Sequence, residues 1–262
     1  MQTFKTWLTV LGTVLIGYFL TMVVAVYSVV LILAGTRGEI VYVRISPWWG
    51  WSWRYSHVTE WGALGWGEPL LTVIVPLLIF FTIWTLRSRL SLWALTFAAV
   101  AMGAMGANLL SNTITEVIGA EWWVVMGTTK AFLVGVSLVL CVGSLILALP
   151  LASMLGLGRG RCSLLKTLLV VGTPILCYLA AMMAYHYTDK PDLRMVWIGY
   201  LAVGAVVVAV GALLSHLAAP LFDRPEVKAR SPQITWLTAG MSLLVAAVLI
   251  TLSALSLYPF AK

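Results

Sequence analysis

Side chains able to do chemistry are few and fall in three places. The chain has three histidines and nine acidic residues. His57 has Glu60 three residues on, and His186 is followed by Asp189 and Asp192. On a helical turn His-x-x-Glu shares one face, and imidazole with carboxylate can bind a divalent cation. His57, Glu60, Glu116, His186 and Asp189 are therefore the candidate ligands of an outer-face metal, or the surround of a quinone. Exposed loops also collect histidines and acids with no ligand, and that alternative stands beside the metal. His216 sits inside an apolar run near its end, where a hydrogen-bonded packing role suits it. His186 and His216 fall at opposite membrane faces, which argues against a haem held by two histidines.

The second place is a polar stripe. Asn108, Asn112 and Glu116 recur at i, i+4 and i+8, on one face of a helix. Gly103, Gly106 and Ala107 precede them and are small enough to let a neighbouring helix approach. The stripe is expected to face the protein interior or an outer vestibule, for interhelical hydrogen bonding or for a substrate, ion or metal. Amides left unpaired in hydrocarbon would cost about 1–3 kcal/mol each. The other side of this helix, with Leu109, Ile114 and Val117, can face lipid without that cost.

The third place is aromatic: Trp48-Trp49-Gly50-Trp51-Ser52-Trp53-Arg54-Tyr55. Such a run cannot stand uncovered in water. It must lie in the headgroup layer, cap a bundle or lid a lipid or quinone cavity, or dock a partner. Trp48, Trp49, Trp51 and Trp53 are thus candidates for lipid or partner docking. The sequence has no Walker loop, GxSxG, GxGxxG or CxxC, so no intact catalytic motif is present and none names a cofactor.

The elements that must position these residues are set by composition. Of 262 residues, 61% are hydrophobic and 10% charged, against roughly 25% charged in soluble domains. Mean hydropathy is +1.01. Those values exclude a disordered chain, a nucleic-acid-binding domain and a disulfide-stapled secreted module. They predict an all-α polytopic membrane protein forming one domain over residues 1–262. Crossing about 30 Å of hydrocarbon takes about 20 apolar residues. Seven runs qualify, near 7–34, 69–86, 90–110, 131–156, 164–185, 195–219 and 235–257. Between the first two, the β-branched segment Glu39–Ser46 alternates as a short extracytoplasmic strand, and Pro47 leads it into the Trp-rich loop.

Charge orients the bundle. Lys5, Arg87, Arg89, Arg159, Arg161, Lys166, Arg224, Lys228 and Arg230 fall on one side with only Asp223 and Glu226. The other side balances its charges. Excess Lys and Arg in short loops marks the cytoplasmic face, so the N-terminus is expected inside, the C-terminus outside, in a bacterial inner membrane. Trp7, Trp84, Trp93 and Trp236 at the inner span ends form the interfacial belt. Membrane lipids and another membrane protein are the expected partners; nucleic acid is not.

One order of features resembles the site-2-protease-like membrane metallopeptidases. A first helix ends in Ala34-Gly35-Thr36-Arg37-Gly38, the strand Glu39–Ser46 follows, and Gly67-Glu68-Pro69 opens a second helix. A Gly-Ala-Asn108 segment then leads to Glu116. The resemblance covers about residues 20–130 and implies a zinc-binding first helix and a later carboxylate ligand, which Glu116 matches. The HExxH motif that supplies two zinc ligands and the base is missing: Val24-Ala25-Val26-Tyr27-Ser28 stands there. The resemblance therefore implies a catalytically dead relative, a pseudoenzyme still able to bind membrane clients. The expected function is a non-catalytic scaffold, client-binding or complex subunit. A membrane enzyme with an outer metal or quinone site, and a small-solute transporter, are the alternatives.

Overall fold

The computed structural model describes residues 1–36, 39–46, 50–57, 61–115, 127–177, 179–180, 194–255 and 257–259. Helices dominate: α1 (Gln2–Gly35), α2 (Trp61–Thr85), α3 (Ser91–Thr115), α4 (Lys130–Ala148), α5 (Leu164–Cys177), α6 (Arg194–Ala218), α7 (Pro225–Arg230) and α8 (Trp236–Leu255). Five stretches are long and apolar enough to cross a membrane: Gln2–Gly35, Gly65–Thr85, Ser91–Ser111, Lys130–Met154 and Ile198–Phe222. Leu164–Cys177 and Trp236–Thr251 are shorter apolar helices.

α1 and α3 form the centre. α1 packs on α2, α3 and α8, while α3 packs on α1, α2, α4 and α6. The apolar stretch of α3 is 72% buried, against 22% for those of α2, α4 and α6, so α3 is the inner helix and the others keep a lipid-sized face. Small residues permit the close centre. A methyl added at Gly17 would lie 3.2 Å from the Cα of Phe97 in α3. The hydroxyls of α1 fold back on their own helix, as Thr13 Oγ1 donates to the Thr9 carbonyl at 2.6 Å and Thr21 Oγ1 to that of Gly17 at 2.8 Å. Each such bond satisfies its hydroxyl where water is absent.

Helix ends and breaks have local causes. At the end of α2, Arg87 adopts a left-handed φ of 52°. Its N–H donates to the Trp84 carbonyl at 3.2 Å, and that of Ser88 to Ile83 at 3.4 Å, the paired bonds of a Schellman stop. Pro150 interrupts α4 before the turn Leu151–Met154, and Ser215 of α6 repairs the break. The Ser215 hydroxyl accepts from the Ala152 N–H at 2.8 Å and donates to the Leu149 carbonyl at 3.3 Å. In α5 the turn Leu168–Gly172 is π-helical. Pro174 follows two residues on; its ring cannot donate and crowds the carbonyl four residues back, which widens the preceding turn.

Two opposite ends result. Strands β1 (Glu39–Ser46), β2 (Gly50–His57) and β3 (Leu257–Pro259) form an antiparallel sheet in the order β2-β1-β3. β3 pairs Tyr42, Val43 and Arg44 with Pro259, Tyr258 and Leu257, so the segment after α8 returns to the end where α1 finishes. The far end gathers the basic loops and the tryptophans. Trp7 Nε1 donates to Thr173 Oγ1 at 2.8 Å and Trp93 Nε1 to Ser242 Oγ at 3.3 Å, while Lys5 stands over the Trp236 ring.

Three expectations need correction. α2 begins at Trp61, so Gly67-Glu68-Pro69 lies inside that helix and does not open it. Trp51 and Trp53 belong to strand β2, not to a loop; the alternation Trp51-Ser52-Trp53-Arg54-Tyr55 has period two, hidden by the density of aromatics. Leu109, expected toward lipid, is 6% exposed and packs with Val73 and Met105 between α2 and α3. Ile114 is 60% exposed.

Candidate functional site

Among the described residues no three His, Cys, Asp or Glu side chains lie close together. His57 ends β2. Glu60, Glu116, His186 and Asp189 lie outside the described residues, as do Trp48 and Trp49. His216 is 6% exposed, its Nδ1 is 2.9 Å from Thr167 Oγ1, and that hydroxyl is 3.4 Å from Cys162 Sγ. The Arg159 N–H caps the His216 carbonyl at 2.9 Å. This is the hydrogen-bonded bundle histidine that its place in the sixth run suggests.

The polar stripe is only half visible. Asn108 is half-buried and partnered, and Asn112 lies on α3 four residues on. The glycines before them meet α4. A methyl at Gly103 would lie 2.9 Å from Ser144 Oγ, and one at Gly106 would lie 2.9 Å from both Cys141 Sγ and the Ser137 carbonyl. Ser144 Oγ crosses the same contact to donate to the Ala99 carbonyl at 2.7 Å.

A further feature, not apparent from composition or spacing, lies among the helices. A cavity of about 130 Å³ runs between α1, α3, α4, α5 and α6. On α3 its wall is Leu92, Thr96, Ala99, Gly103 and Ala107; on α6 it is Tyr200, Gly204, Val207, Gly211 and Ser215. Each set recurs every three or four residues, so each is a single helix face. Both faces carry small residues, Gly103 and Ala107 on α3 and Gly204 and Gly211 on α6. Tyr18 and Tyr200, both 8% exposed and hydrogen-bonded to each other, stand at one end. Leu151 and Ser215 stand at the other.

Two surfaces complete the inventory. In the sheet, register pairs Val43 with Trp53 and Ile45 with Trp51. At the basic end Asp223 joins Arg161 at 2.5 Å and Lys228 at 2.7 Å. Hydrogen bonds from Lys228 first and then Arg161 hold its carboxyl below the usual carboxylate range. Comparison of the chain with family models, with curated proteins and with solved structures finds no match.

Proposed function

We propose that the chain is a seven-span membrane protein, with Leu164–Cys177 and Trp236–Thr251 as parts of two further spans. Its basic end lies in the cytoplasm, and it acts as a non-catalytic client-binding or complex subunit. One observation carries the proposal: the register of the sheet sets Val43 against Trp53 and Ile45 against Trp51, at the end of the molecule away from the basic loops. Tryptophan and tyrosine are the side chains that dominate binding hot spots, since they bury large area and lose little rotamer freedom. β1 contacts α1 and α8, so the sheet is seated on the bundle and does not trail from it. Positively charged loops at the opposite end suit anionic cytoplasmic lipid.

A photo-crosslinking amino acid in place of Trp53, activated in intact cells, tests the docking role. Expected is a discrete protein adduct that Trp51→Ser weakens about tenfold, the scale of one lost aromatic contact worth ~1.4 kcal/mol. Adducts to lipid alone would refute partner docking and leave the sheet as a membrane anchor.

A further inference from the structure

At the end of the molecule opposite the sheet, three loops are braced into one surface. Arg161 and Lys228 both close on Asp223, which ties the loop after α4 to the segment around α7. The Arg159 N–H caps the His216 carbonyl near the end of α6, and Arg230 joins α7 to the end of α2. Those contacts occupy Arg161, Lys228 and Arg230. Among the described residues, Arg87, Arg89, Arg159, Lys166 and Arg224 are exposed and have no ion pair or side-chain hydrogen bond. Asp223 is already neutralised by its two partners, so Glu226 is the only acid of this end left to oppose them.

Most of these cations have a large apolar neighbour. Leu86 precedes Arg87, Leu90 follows Arg89 and Leu165 precedes Lys166, with 73%, 56% and 65% of their surface exposed. Leu221, 70% exposed, lies three residues before Arg224. One exposed leucine on a surface is ordinary. The same pairing in three separate loops at one end of a bundle asks for a partner that is both anionic and apolar. A soluble polyanion would neutralise the cations and leave the leucines in water. A zwitterionic lipid would cover the leucines and bring no net charge. An anionic phospholipid does both, with its phosphate at the cationic heads and its upper methylenes on the leucines.

We infer that this face holds anionic phospholipid of the surrounding leaflet, at Arg159, Lys166 and Arg224 on the segments that Asp223 braces. The brace orders the loops before lipid arrives, so binding has only the cationic side chains left to order. The inference rests on the membrane reading proposed above and not on which end is cytoplasmic. The face shares no residue with the sheet, so loss of docking at Trp53 and loss of lipid binding are separate results.

The test titrates the delipidated full-length protein in neutral detergent with phosphatidylglycerol or phosphatidylcholine and counts bound lipid by native mass spectrometry. Each cation near an anionic lipid surface is worth about fivefold in affinity, so phosphatidylglycerol should bind at least about tenfold more tightly than phosphatidylcholine. That preference should shrink as salt rises. The triple variant Arg159→Gln, Lys166→Gln, Arg224→Gln should bind the two lipids alike at an unchanged melting temperature, because no folded-state contact is removed. Lys130→Gln, at the start of α4 and the opposite end, should keep the preference. Glycerol 3-phosphate, a headgroup without chains, should not displace the bound lipid. Equal affinity of the unmutated protein for the two lipids would overturn the inference, as would a preference that survives the triple variant. Displacement by glycerol 3-phosphate would also overturn it, since the face would then be a site for soluble anions.

Discussion

Replacing Gly12 with leucine should prevent the chain from reaching a stable fold, and Gly12→Ala should already cost about 1–3 kcal/mol, the usual scale of overpacking. A methyl at Gly12 would lie 2.7 Å from Ser242 Cβ and 2.8 Å from the Ser242 carbonyl carbon in α8. The second of these atoms is backbone, so no rotamer change relieves the clash, and α1 and α8 must separate. Separation also strains the bond from Trp93 Nε1 to Ser242 Oγ, which ties α3 to the same contact. Gly240, four to five residues from the end of the sixth-to-eighth-helix connection, has nothing within 4 Å of an added methyl, and Gly240→Leu is the matched control. Thermal melts in detergent should rank Gly240→Leu near the unmutated protein, Gly12→Ala well below it and Gly12→Leu without a transition. Equal melting of the two leucine variants would contradict this packing.

Arg230→Ala should lose about 2–4 kcal/mol, because a charge-assisted bond contributes roughly 1.5–3 kcal/mol and a cation–π contact about 1 kcal/mol. Arg230 is 9% exposed. Its Nε donates to the Trp84 carbonyl at 3.1 Å and its Nη1 to the Glu226 carbonyl at 2.9 Å. The guanidinium lies 4.6 Å from the centre of the Trp84 ring. One side chain thereby caps the end of α2, where the helix dipole is negative, and holds α7 against it. Arg230→Lys should recover less than half of the loss, since an ammonium cannot fork between two carbonyls while stacked on indole. Trypsin cleavage at Lys228 provides the second readout: it should quicken in Arg230→Ala. Full stability of the lysine variant would show that charge alone suffices.

How much of this was legible beforehand differs by feature, for physical reasons. Long apolar runs announce membrane helices because hydrocarbon thickness fixes their minimum length. The five long apolar helices follow from that constraint alone. Gly67-Glu68-Pro69 misled because a proline near the start of an apolar run looks like a first turn. Within α2, Pro69 removes one donor, a loss that membrane helices commonly absorb. β2 was obscured because five aromatics in eight residues mask the small and charged residues that alternate with them. Leu109 was misplaced because a lipid face and a core face are equally apolar, so hydropathy cannot tell one from the other. The cavity is the clearest case. Gly103 and Gly204 are each visible as small residues, yet only tertiary packing brings the faces that carry them to the wall of one cavity.

The proposal as a whole turns on the two ends of the molecule lying on opposite sides of one membrane. Single cysteines at Arg89 and Ser56, placed in a chain whose own three cysteines are replaced, can be probed in intact cells with a membrane-impermeant maleimide. Arg89→Cys should label only after the membrane is opened, and Ser56→Cys should label from outside. Labelling of both from the same side would contradict the seven-span arrangement, and with it the outward placement of the aromatic sheet.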